Sequence, residues 1–332
     1  MLSDLTTAIQ VSIRQNYNLT IESATPIGTG AMSKTMRLVT NRGIWFLKVY
    51  KSARNRRTPA QPDLQRIVFT HTVQTFLHQE NFPVPRLLPN NSGETFSVCD
   101  TPLETEEVYA LSEFIEGSDY DVANLEQLRT SGEMLGRLHQ QLYQFQPQIQ
   151  LAEPSLETEI FIQLQERLSR LQPVVAEDLI SPTQIDSWIQ EIEVLKGSVG
   201  ALHDTQCEQD WLIHGDYRAQ NLKFDDMGIR AVLDLDTACS AFRLYDLSYA
   251  LVFFPAVYQV TPLTTNQRSI FLRAYESICP LSDTERKLLP THLRLAFLRG
   301  LTLWLDLYYY AGMSHRTRPW IQGYLQHAQS LF

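Results

Sequence analysis

The spacing of apolar residues predicts one helix and then β-strands near the start of the chain. Apolar residues four apart indicate a helix over residues 4–15, capped by Ser3 or Asp4. The spacing then becomes that of strands over residues 35–40 and 44–50. The short Asn-Arg-Gly turn between these strands predicts an antiparallel hairpin.

Along the rest of the chain, the apolar spacing predicts one helix and further strands, and then a series of helices. A helix over residues 62–79 precedes two further strands, over 95–100 and 108–117. Beyond them the spacing is helical, and capping boxes at Ser181–Gln184 and Ser282–Glu285 mark two helix starts. The predicted helices are 125–143, 157–171, 182–195, 246–255 and 288–310. This order of elements predicts an α+β chain, with a sheet followed by a mainly helical part.

Composition and charge narrow the classes of function. The chain has 332 residues, of which 44% are hydrophobic and 20% charged, as in a globular protein with a sizeable core. Its net charge of −9 argues against nucleic acid as a partner. The same charge leaves an amine-bearing substrate open, although an acidic surface is also an ordinary means of staying in solution.

The sequence shows no signal of secretion or of membrane insertion. Its four cysteines lack C-x-x-C spacing, so neither a zinc site nor a disulfide framework is indicated. The N-terminus does not have the pattern of a signal peptide. The longest apolar run, 293–310, is interrupted by Arg294, Arg299 and Asp306, so no membrane span is predicted. We therefore expect a cytoplasmic protein with no membrane partner.

One stretch between two apolar strands carries the residues of a phosphoryl-transfer site. It reads H-G-D-x-x-x-x-N from His214 to Asn221, and the next strand ends at Asp234. Kinases use this spacing for a base and two metal ligands. The alternative is an ordinary turn rich in Asp and Asn, which the length of the full motif disfavours.

The chemistry assigns a role to each of these residues. An alcohol is a poor nucleophile, so a carboxylate must orient it and accept its proton, and Asp216 is the candidate base. Mg²⁺ prefers hard oxygen ligands, which Asn221 and Asp234 can supply, with Asp236 as an auxiliary neighbour. His214 is expected to fix the loop, because Asp216 already fills the role of base.

These motifs resemble the aminoglycoside phosphotransferase and choline kinase superfamily, and within it the homoserine-kinase-like branch. The resemblance covers about residues 26–310. It rests on His214-Gly-Asp216, Asn221, Val232-Leu-Asp234 and Arg243-Leu-Tyr-Asp246. It implies that Asp216 is the catalytic base, that Asn221 and Asp234 are metal ligands, and that Asp246 helps to hold the catalytic loop.

The resemblance also implies a bilobal, protein-kinase-like fold that uses ATP and Mg²⁺. An N-terminal nucleotide-binding lobe with an antiparallel sheet would span residues 1–116. A mainly helical C-terminal lobe for catalysis and substrate binding would span residues 117–332. The preference for ATP over GTP and the oligomeric state have no signature in the sequence.

Several N-terminal positions are candidates for nucleotide binding. A glycine loop with Gly28, Gly30 and Ser33 would let backbone N–H groups approach phosphates, although a Gly-x-Gly pair is more often a plain turn. Lys48, within an apolar strand, is placed like the phosphate-binding lysine of a kinase, and the alternative is a solvated strand face. The resemblance implies backbone contacts to adenine at Glu113 and Ile115.

The helix over residues 62–79 departs from the family pattern. The resembled proteins carry a glutamate there that pairs with the lysine, whereas this chain has no acid between Asp63 and Glu80. The partner of Lys48 is therefore unassigned. His71, on this helix, is expected at the edge of the core.

Three functions remain open from the sequence. A kinase for a small hydroxylated metabolite leads, with homoserine, an aminoglycoside, choline or another amino alcohol as the acceptor. A serine/threonine protein kinase and a non-catalytic nucleotide-binding regulator are the alternatives. Arg218 would contact phosphate or an acidic substrate group, or else be an exposed loop charge. Trp304 and Tyr308 with Asp306 would form an ammonium cage, or else a packing stripe, which such aromatic spacing favours.

Overall fold

The computed structural model describes the chain in nine segments. They are residues 5–29, 33–50, 63–100, 106–145, 156–175, 179–203, 211–254, 263–310 and 314–331. Contacts between Cα atoms divide these residues into two compact units. The sheet unit holds the chain up to Gly117 together with Arg230–Asp236. The helical unit holds the other described residues, from Ser118 to Ile229 and from Thr237 onwards.

The sheet unit is built on one antiparallel sheet. In chain order its elements are α1 (Thr7–Tyr17), β1 (Ile21–Thr29), β2 (Ser33–Thr40), β3 (Gly43–Tyr50), α2 (Leu64–Gln79), β4 (Leu87–Leu88), β5 (Ser97–Asp100) and β6 (Glu106–Glu113). The strand order is β1-β2-β3-β6-β4, and β5 also pairs with β6. The predicted hairpin is confirmed, because β2 and β3 pair up to Thr40 opposite Gly43.

Alternation along the strands gives the sheet one buried face. Met36 and Leu38 on β2 and Leu47 on β3 are fully buried, and Ile9 and Ile13 of α1 belong to the same apolar core. Successive strand residues point to opposite faces, so apolar residues at every second position form one apolar face. Helix α1 packs against that face.

The predicted cap of the first helix is wrong. The helix begins at Thr7, and the Thr6 side chain accepts the N–H of Ile9. Leu5 is buried in the core of the sheet unit, so the chain enters the helix only after this residue. Ser3 and Asp4 lie outside the described residues.

The helical unit contains most of the helices. The elements that follow β6 are α3 (Leu125–Tyr143), α4 (Leu156–Leu171), α5 (Pro182–His203), β7 (Trp211–Ile213), β8 (Leu222–Asp225), β9 (Gly228–Val232), β10 (Cys239–Ala241), α6 (Leu244–Phe253), α7 (Thr265–Ile278), α8 (Asp283–Tyr310) and α9 (Ser314–Leu331). Both predicted capping boxes form, with Gln184 N–H bonded to Ser181 Oγ and Glu285 N–H to Ser282 Oγ. None of the described helices is both long and apolar enough to cross a membrane.

Two of the three charged residues that interrupt the apolar pattern of α8 form ion pairs with other helices. Arg294 binds Glu191 of α5, and Asp306 binds Arg170 of α4. Trp304 and Tyr308 pack against the apolar core of the helical unit. The aromatic stripe on α8 is therefore part of the packing, which was the favoured expectation.

Candidate active site

The catalytic loop depends on a glycine at its centre. Strand β7 ends at Ile213, and Gly215 follows with φ of +81°, a conformation that favours glycine. A Cβ atom at Gly215 would lie 2.3 Å from the carbonyl oxygen of Thr237. The hydroxyl of Thr237 also donates a 2.9 Å hydrogen bond to the carbonyl of His214. The loop therefore lies too close to the Thr237 backbone to accept any larger residue at this position without moving.

Asp246 fixes the same loop from the first turn of α6. Its side chain is 1% exposed and accepts the N–H of His214 at 2.6 Å and that of Gly215 at 2.7 Å. Burial lowers the pKa of His139, whose Nε2 lies 3.3 Å from the Asp246 carboxylate. Nδ1 of His139 is 2.9 Å from the hydroxyl of Tyr275. This buried chain of hydrogen bonds gives Asp246 the loop-holding role that the resemblance implied.

His214 acts as a structural residue in this geometry. Its side chain is fully buried, and its Nδ1 accepts the backbone N–H of Asp216 at 3.3 Å. A nitrogen that accepts a hydrogen bond carries no proton, so the ring orients the loop through its lone pair. This matches the predicted loop-fixing role.

Asp216 and Asn221 lie side by side in the loop. Nδ2 of Asn221 donates to the backbone carbonyl of Asp216 at 2.8 Å and to Asp216 Oδ2 at 3.2 Å. Arg218 also contacts Asp216 Oδ2, at 3.0 Å. With its nitrogen directed at Asp216, the Asn221 side chain presents Oδ1 as the atom for a hard cation, which fits the predicted Mg²⁺ role.

Tyr249 is a further contact of Asp216 that the sequence pattern did not identify. Its hydroxyl is hydrogen-bonded to the Asp216 carboxylate, and burial and then the charge of Asp216 raise the pKa of Tyr249. Tyr249 follows Asp246 by three residues on α6, so both side chains reach the loop from neighbouring turns of one helix. That helical spacing is the signal that could have identified it.

A cavity in the helical unit borders this group. It has about 210 Å³ of space not filled by protein atoms, including the part open to solvent. Its lining residues come from α4, α6 and α8 and are Ile160, Tyr245, Tyr249, Leu295, Ala296 and Arg299. Because Tyr249 both lines the cavity and bonds to Asp216, the cavity is adjacent to the predicted base.

Within the sheet unit, Lys48 is paired with two carboxylates. Its Nζ lies 2.8 Å from Asp234 Oδ1 and 2.5 Å from Asp236 Oδ2, and its side chain is 14% exposed. The solvated alternative for Lys48 is therefore wrong. Burial acts against the ammonium charge, but the two carboxylates outweigh it and raise the pKa of Lys48.

Asp234 and Asp236 supply the missing partners of the lysine. Asp234 has φ of +61°, which Asp tolerates better than most residues, and its side chain is 44% exposed. Asp236 is more buried, and burial raises its pKa against the opposing effect of Lys48. The sequence motif predicts Asp236 as an auxiliary neighbour of the metal ion, and this role stays a prediction.

Helix α2 carries other groups where the family glutamate was expected. Arg66 donates from Nε to the backbone carbonyl of Asp236 at 3.2 Å. His71 is buried rather than at the core edge, and its ring nitrogens bond to the hydroxyls of Tyr50 at 2.8 Å and Thr95 at 2.7 Å. Burial and then the Lys48 charge lower the pKa of His71 to about 4.

The remaining nucleotide positions stay predictions. Gly28 lies within β1 opposite Thr35, Ser33 begins β2, and Gly30 is outside the described residues. The N–H of Glu113, at the end of β6, is bonded to the carbonyl of Arg86 at 2.8 Å. An adenine contact here would therefore need the Glu113 carbonyl or the backbone of Ile115.

The structure brings these residues together in two groups. Asp216 and Asn221 belong to the helical unit, and Lys48, Asp234 and Asp236 to the sheet unit. Within the described residues, no set of three or more His, Cys, Asp or Glu side chains is arranged to hold a metal ion. The predicted Mg²⁺ site differs from such a set because it includes the amide oxygen of Asn221.

Comparison with known proteins identifies the class to which this fold and loop belong. Residues 23–289 match the model of the phosphotransferase enzyme family, so the chain belongs to that family. It is a phosphotransferase of the small-molecule kinase type. Both the predicted family resemblance and the predicted kinase-like α+β fold are confirmed.

Individual relatives share the fold at low sequence identity. A homoserine kinase of Zymomonas mobilis is 26% identical over 243 residues, covering 71% of this chain and 68% of that protein. An amicoumacin kinase, hAmiN, superposes with a TM-score of 0.71 at 17% identity, covering 96% of this chain and 91% of its own. A microcompartment-associated aminopropanol kinase gives a TM-score of 0.64 at 16% identity, with 98% of each chain covered.

Proposed function

We propose that this protein transfers the γ-phosphoryl group of ATP to a hydroxyl of a small metabolite, with Asp216 as the general base. The observation that carries the proposal is the position of Asp216. Its loop is held by Asp246 through two main-chain N–H groups, and its carboxylate is linked through Tyr249 to a cavity. A fixed carboxylate beside a cavity can orient an alcohol and accept its proton as the oxygen attacks phosphorus.

The proposed role of Arg218 is to restrain the base. Its guanidinium contacts Asp216 Oδ2, the same oxygen that faces Asn221. Together with Tyr249, these donors hold the orientation of the Asp216 carboxylate, which is proposed to accept the alcohol proton. A carboxylate held in one orientation lowers the activation free energy more than a mobile one, because no entropy is lost in orienting it during the reaction.

ATP and Mg²⁺ are the proposed donor and metal. The related amicoumacin kinase was solved with AMP-PNP and Ca²⁺, which supports a nucleoside triphosphate with a divalent cation in this fold. The sequence motif assigns the cation to Asn221 and Asp234, with Asp236 as an auxiliary neighbour, and the phosphates to Lys48. Mg²⁺ would supply charge neutralisation of the triphosphate. The assignment of nucleotide binding to residues 1–116 and of catalysis to 117–332, like the cytoplasmic location, stays a prediction.

The acceptor is a small molecule, and three chemical types remain proposals. The named relatives act on homoserine, on amicoumacin and on an aminopropanol.

A screen of acceptors tests the proposal. Purified protein with ATP and Mg²⁺ is incubated with a panel of hydroxylated metabolites, with an aminoglycoside and with casein, and ADP release is compared with that of the Asp216→Asn variant. We expect phosphorylation of at least one small alcohol by the wild type only. Transfer to casein alone would favour a protein kinase, and ATP binding without transfer to any acceptor would favour a non-catalytic regulator.

A further inference from the structure

Lys48 contacts two acids that differ in their surroundings. Its ammonium nitrogen lies 2.8 Å from Asp234 Oδ1 and 2.5 Å from Asp236 Oδ2. The two acids carry the same charge at similar distances, so the contact with Lys48 alone does not separate their roles. They differ in the exposure of the side chain and in the contacts that hold each acid in place.

Asp234 is the more accessible of the two acids. Its side chain is 44% exposed, against 31% for Asp236. Exposure suits a ligand for Mg²⁺, because this ion keeps several of its water molecules when it binds a protein. A carboxylate that shares its charge with a metal ion attracts a neighbouring ammonium less strongly. A second acid is therefore needed to hold Lys48 while Asp234 serves the metal.

Asp236 is held in place by its own turn and by helix α2. It belongs to the short 3₁₀ turn Leu235–Thr237, whose first residue is buried. Nε of Arg66 donates to the backbone carbonyl of Asp236 at 3.2 Å. Arg66 lies in the first turn of α2, where the side chain of Asp63 caps the helix by accepting the Arg66 N–H at 3.1 Å. The helix therefore reaches Asp236 through a residue whose backbone is fixed by the cap.

A second contact from α2 towards the lysine is made by a neutral group. Burial and then the charge of Lys48 lower the pKa of His71 to about 4. Nε2 of His71 lies 2.8 Å from the hydroxyl of Tyr50, and Lys48 Nζ is 5.7 Å from the centre of the Tyr50 ring. Helix α2 contains no Asp or Glu. It therefore supports the ring beside Lys48, while negative charge comes to the lysine from Asp234 and Asp236.

We propose that Asp236 is a positioning residue for Lys48. Its carboxylate holds the ammonium in place for the phosphates of the nucleotide, Arg66 holds Asp236 in turn, and Asp234 is left for the metal ion. The inference rests on the proposed function, because it assigns roles within that site. It replaces the expectation that Asp236 is an auxiliary neighbour of the metal.

Metal binding separates the two acids without any catalysis. Mn²⁺ is the probe, titrated into the protein in the presence of ADP and followed by calorimetry. Asp234→Asn should weaken Mn²⁺ binding by at least about 10-fold, since even groups that only support a metal ligand have effects of this size. Asp236→Asn should weaken it by less than about 3-fold. An effect of Asp236→Asn as large as that of Asp234→Asn would overturn the proposal.

A double-mutant cycle tests whether Asp236 acts through Lys48. With an acceptor found in the screen, Asp236→Asn should lower kcat/KM for ATP by up to about 100-fold, the cost of moving a positioned group by about 1 Å. The same substitution should have little further effect in the Lys48→Met background, because the group that it positions is gone. Asp236→Glu keeps the charge and should lie between Asp236→Asn and the wild type. Equal losses in the two backgrounds, with folding of each variant checked by thermal melts, would contradict the proposal.

Variants of Arg66 test the link from α2. Arg66→Met keeps the length of the side chain and removes the guanidinium. It should lower kcat/KM for ATP by roughly 3- to 10-fold, as for one lost hydrogen bond, with Mn²⁺ binding unchanged. Arg42→Met is the control, because Arg42 is exposed in the turn between β2 and β3 of the same unit. Equal effects of Arg66→Met and Arg42→Met would contradict the role of Arg66.

The proposed reaction and this assignment fail in different ways. If the Mn²⁺ titrations give the expected order but no acceptor is phosphorylated, the assignment of Asp236 stands and the transfer reaction fails. If an acceptor is phosphorylated but Asp236→Asn weakens Mn²⁺ binding as much as Asp234→Asn does, the reaction stands and the assignment is overturned.

Discussion

Gly215 lies against the backbone of Thr237, so that a methyl group on its Cα would be 2.3 Å from the Thr237 carbonyl oxygen. This contact fixes the middle residue of the H-G-D motif by sterics as well as by its positive φ. A motif that had been interpreted by its chemistry therefore has a packing requirement at its centre.

We expect Gly215→Ala to destabilise the protein and to remove most of its activity. The positive φ alone costs about 1–2 kcal/mol for a residue with a Cβ, and the overlap with Thr237 requires the loop to move in addition. Thermal melts and kcat measure the two effects. Gly228→Ala is the matched control, because Gly228 also has a positive φ, of +119°, but a Cβ atom added there would have no neighbour within 4 Å. Similar losses for the two variants would show that the contact with Thr237 is unimportant.

Replacing Asp216 by Ala should lower phosphoryl transfer by roughly 10²- to 10⁴-fold, the usual contribution of a general base. Binding of ATP should change little, because the predicted nucleotide contacts lie elsewhere in the sequence. Steady-state kinetics and a nucleotide titration measure the two quantities. Asp226→Ala, which removes an exposed carboxylate in the turn after β8, should leave both unchanged. Transfer that survives Asp216→Ala would contradict the assignment of the base.

Replacing Lys48 by Met should destabilise the protein at neutral pH. It leaves Asp234 and Asp236 next to each other without the ammonium that contacts both. The pKa of Asp236 is already raised by burial, and loss of Lys48 removes the main effect that opposes the rise. A carboxyl with a raised pKa binds a proton more readily in the folded state than in the unfolded state, so the variant should regain stability as the pH is lowered from 7 towards 5.

Chemical denaturation at several pH values measures this dependence. The control is the double variant Lys48→Met with Asp236→Asn, which has no charge to neutralise at residue 236. Its stability should rise much less as the pH is lowered from 7 towards 5. A single variant whose stability does not change between pH 7 and pH 5 would contradict the role assigned to Asp236.

The buried His71 should make the protein less stable in mild acid. Its pKa is lowered from 6.5 to about 4 in the folded state, so the unfolded chain binds the proton first as the pH falls. The contribution of the neutral His71 ring to the free energy of unfolding is complete above pH 6.5. It is lost progressively down to about pH 4, and the total loss is on the order of 3 kcal/mol.

Melting temperatures between pH 7 and pH 4 measure this loss. His71→Gln should make the dependence on pH shallower, whereas His78→Gln, at an exposed position on the same helix, should leave it as in the wild type. Parallel curves for the wild type and His71→Gln would contradict the prediction.

Local sequence signals predicted most elements of the fold and the catalytic loop. The hairpin β2-β3, the bounds of α3 and the capping boxes at Ser181 and Ser282 follow from residues that are close in sequence. The H-G-D-x4-N motif could be recognised for the same reason: Asp216 and Asn221 lie within six consecutive residues of one loop.

Contacts between distant parts of the chain were beyond the reach of such signals. Lys48 and Asp234 are 186 residues apart, and only the folded sheet unit shows that they pair. Arg299 appeared in the sequence as a charge that interrupts an apolar helix. Its place in a cavity beside Asp216 depends on how α4, α6 and α8 pack, which no single helix encodes.

Asp246 holds the loop through the main-chain N–H groups of His214 and Gly215, which residues of many types could supply. What restricts residue 214 is its buried ring, which accepts the N–H of Asp216, and what restricts residue 215 is the contact with Thr237. Directed evolution of the enzyme for a new acceptor should therefore keep residues 214, 215 and 246 constant, because most variants at these positions should be inactive.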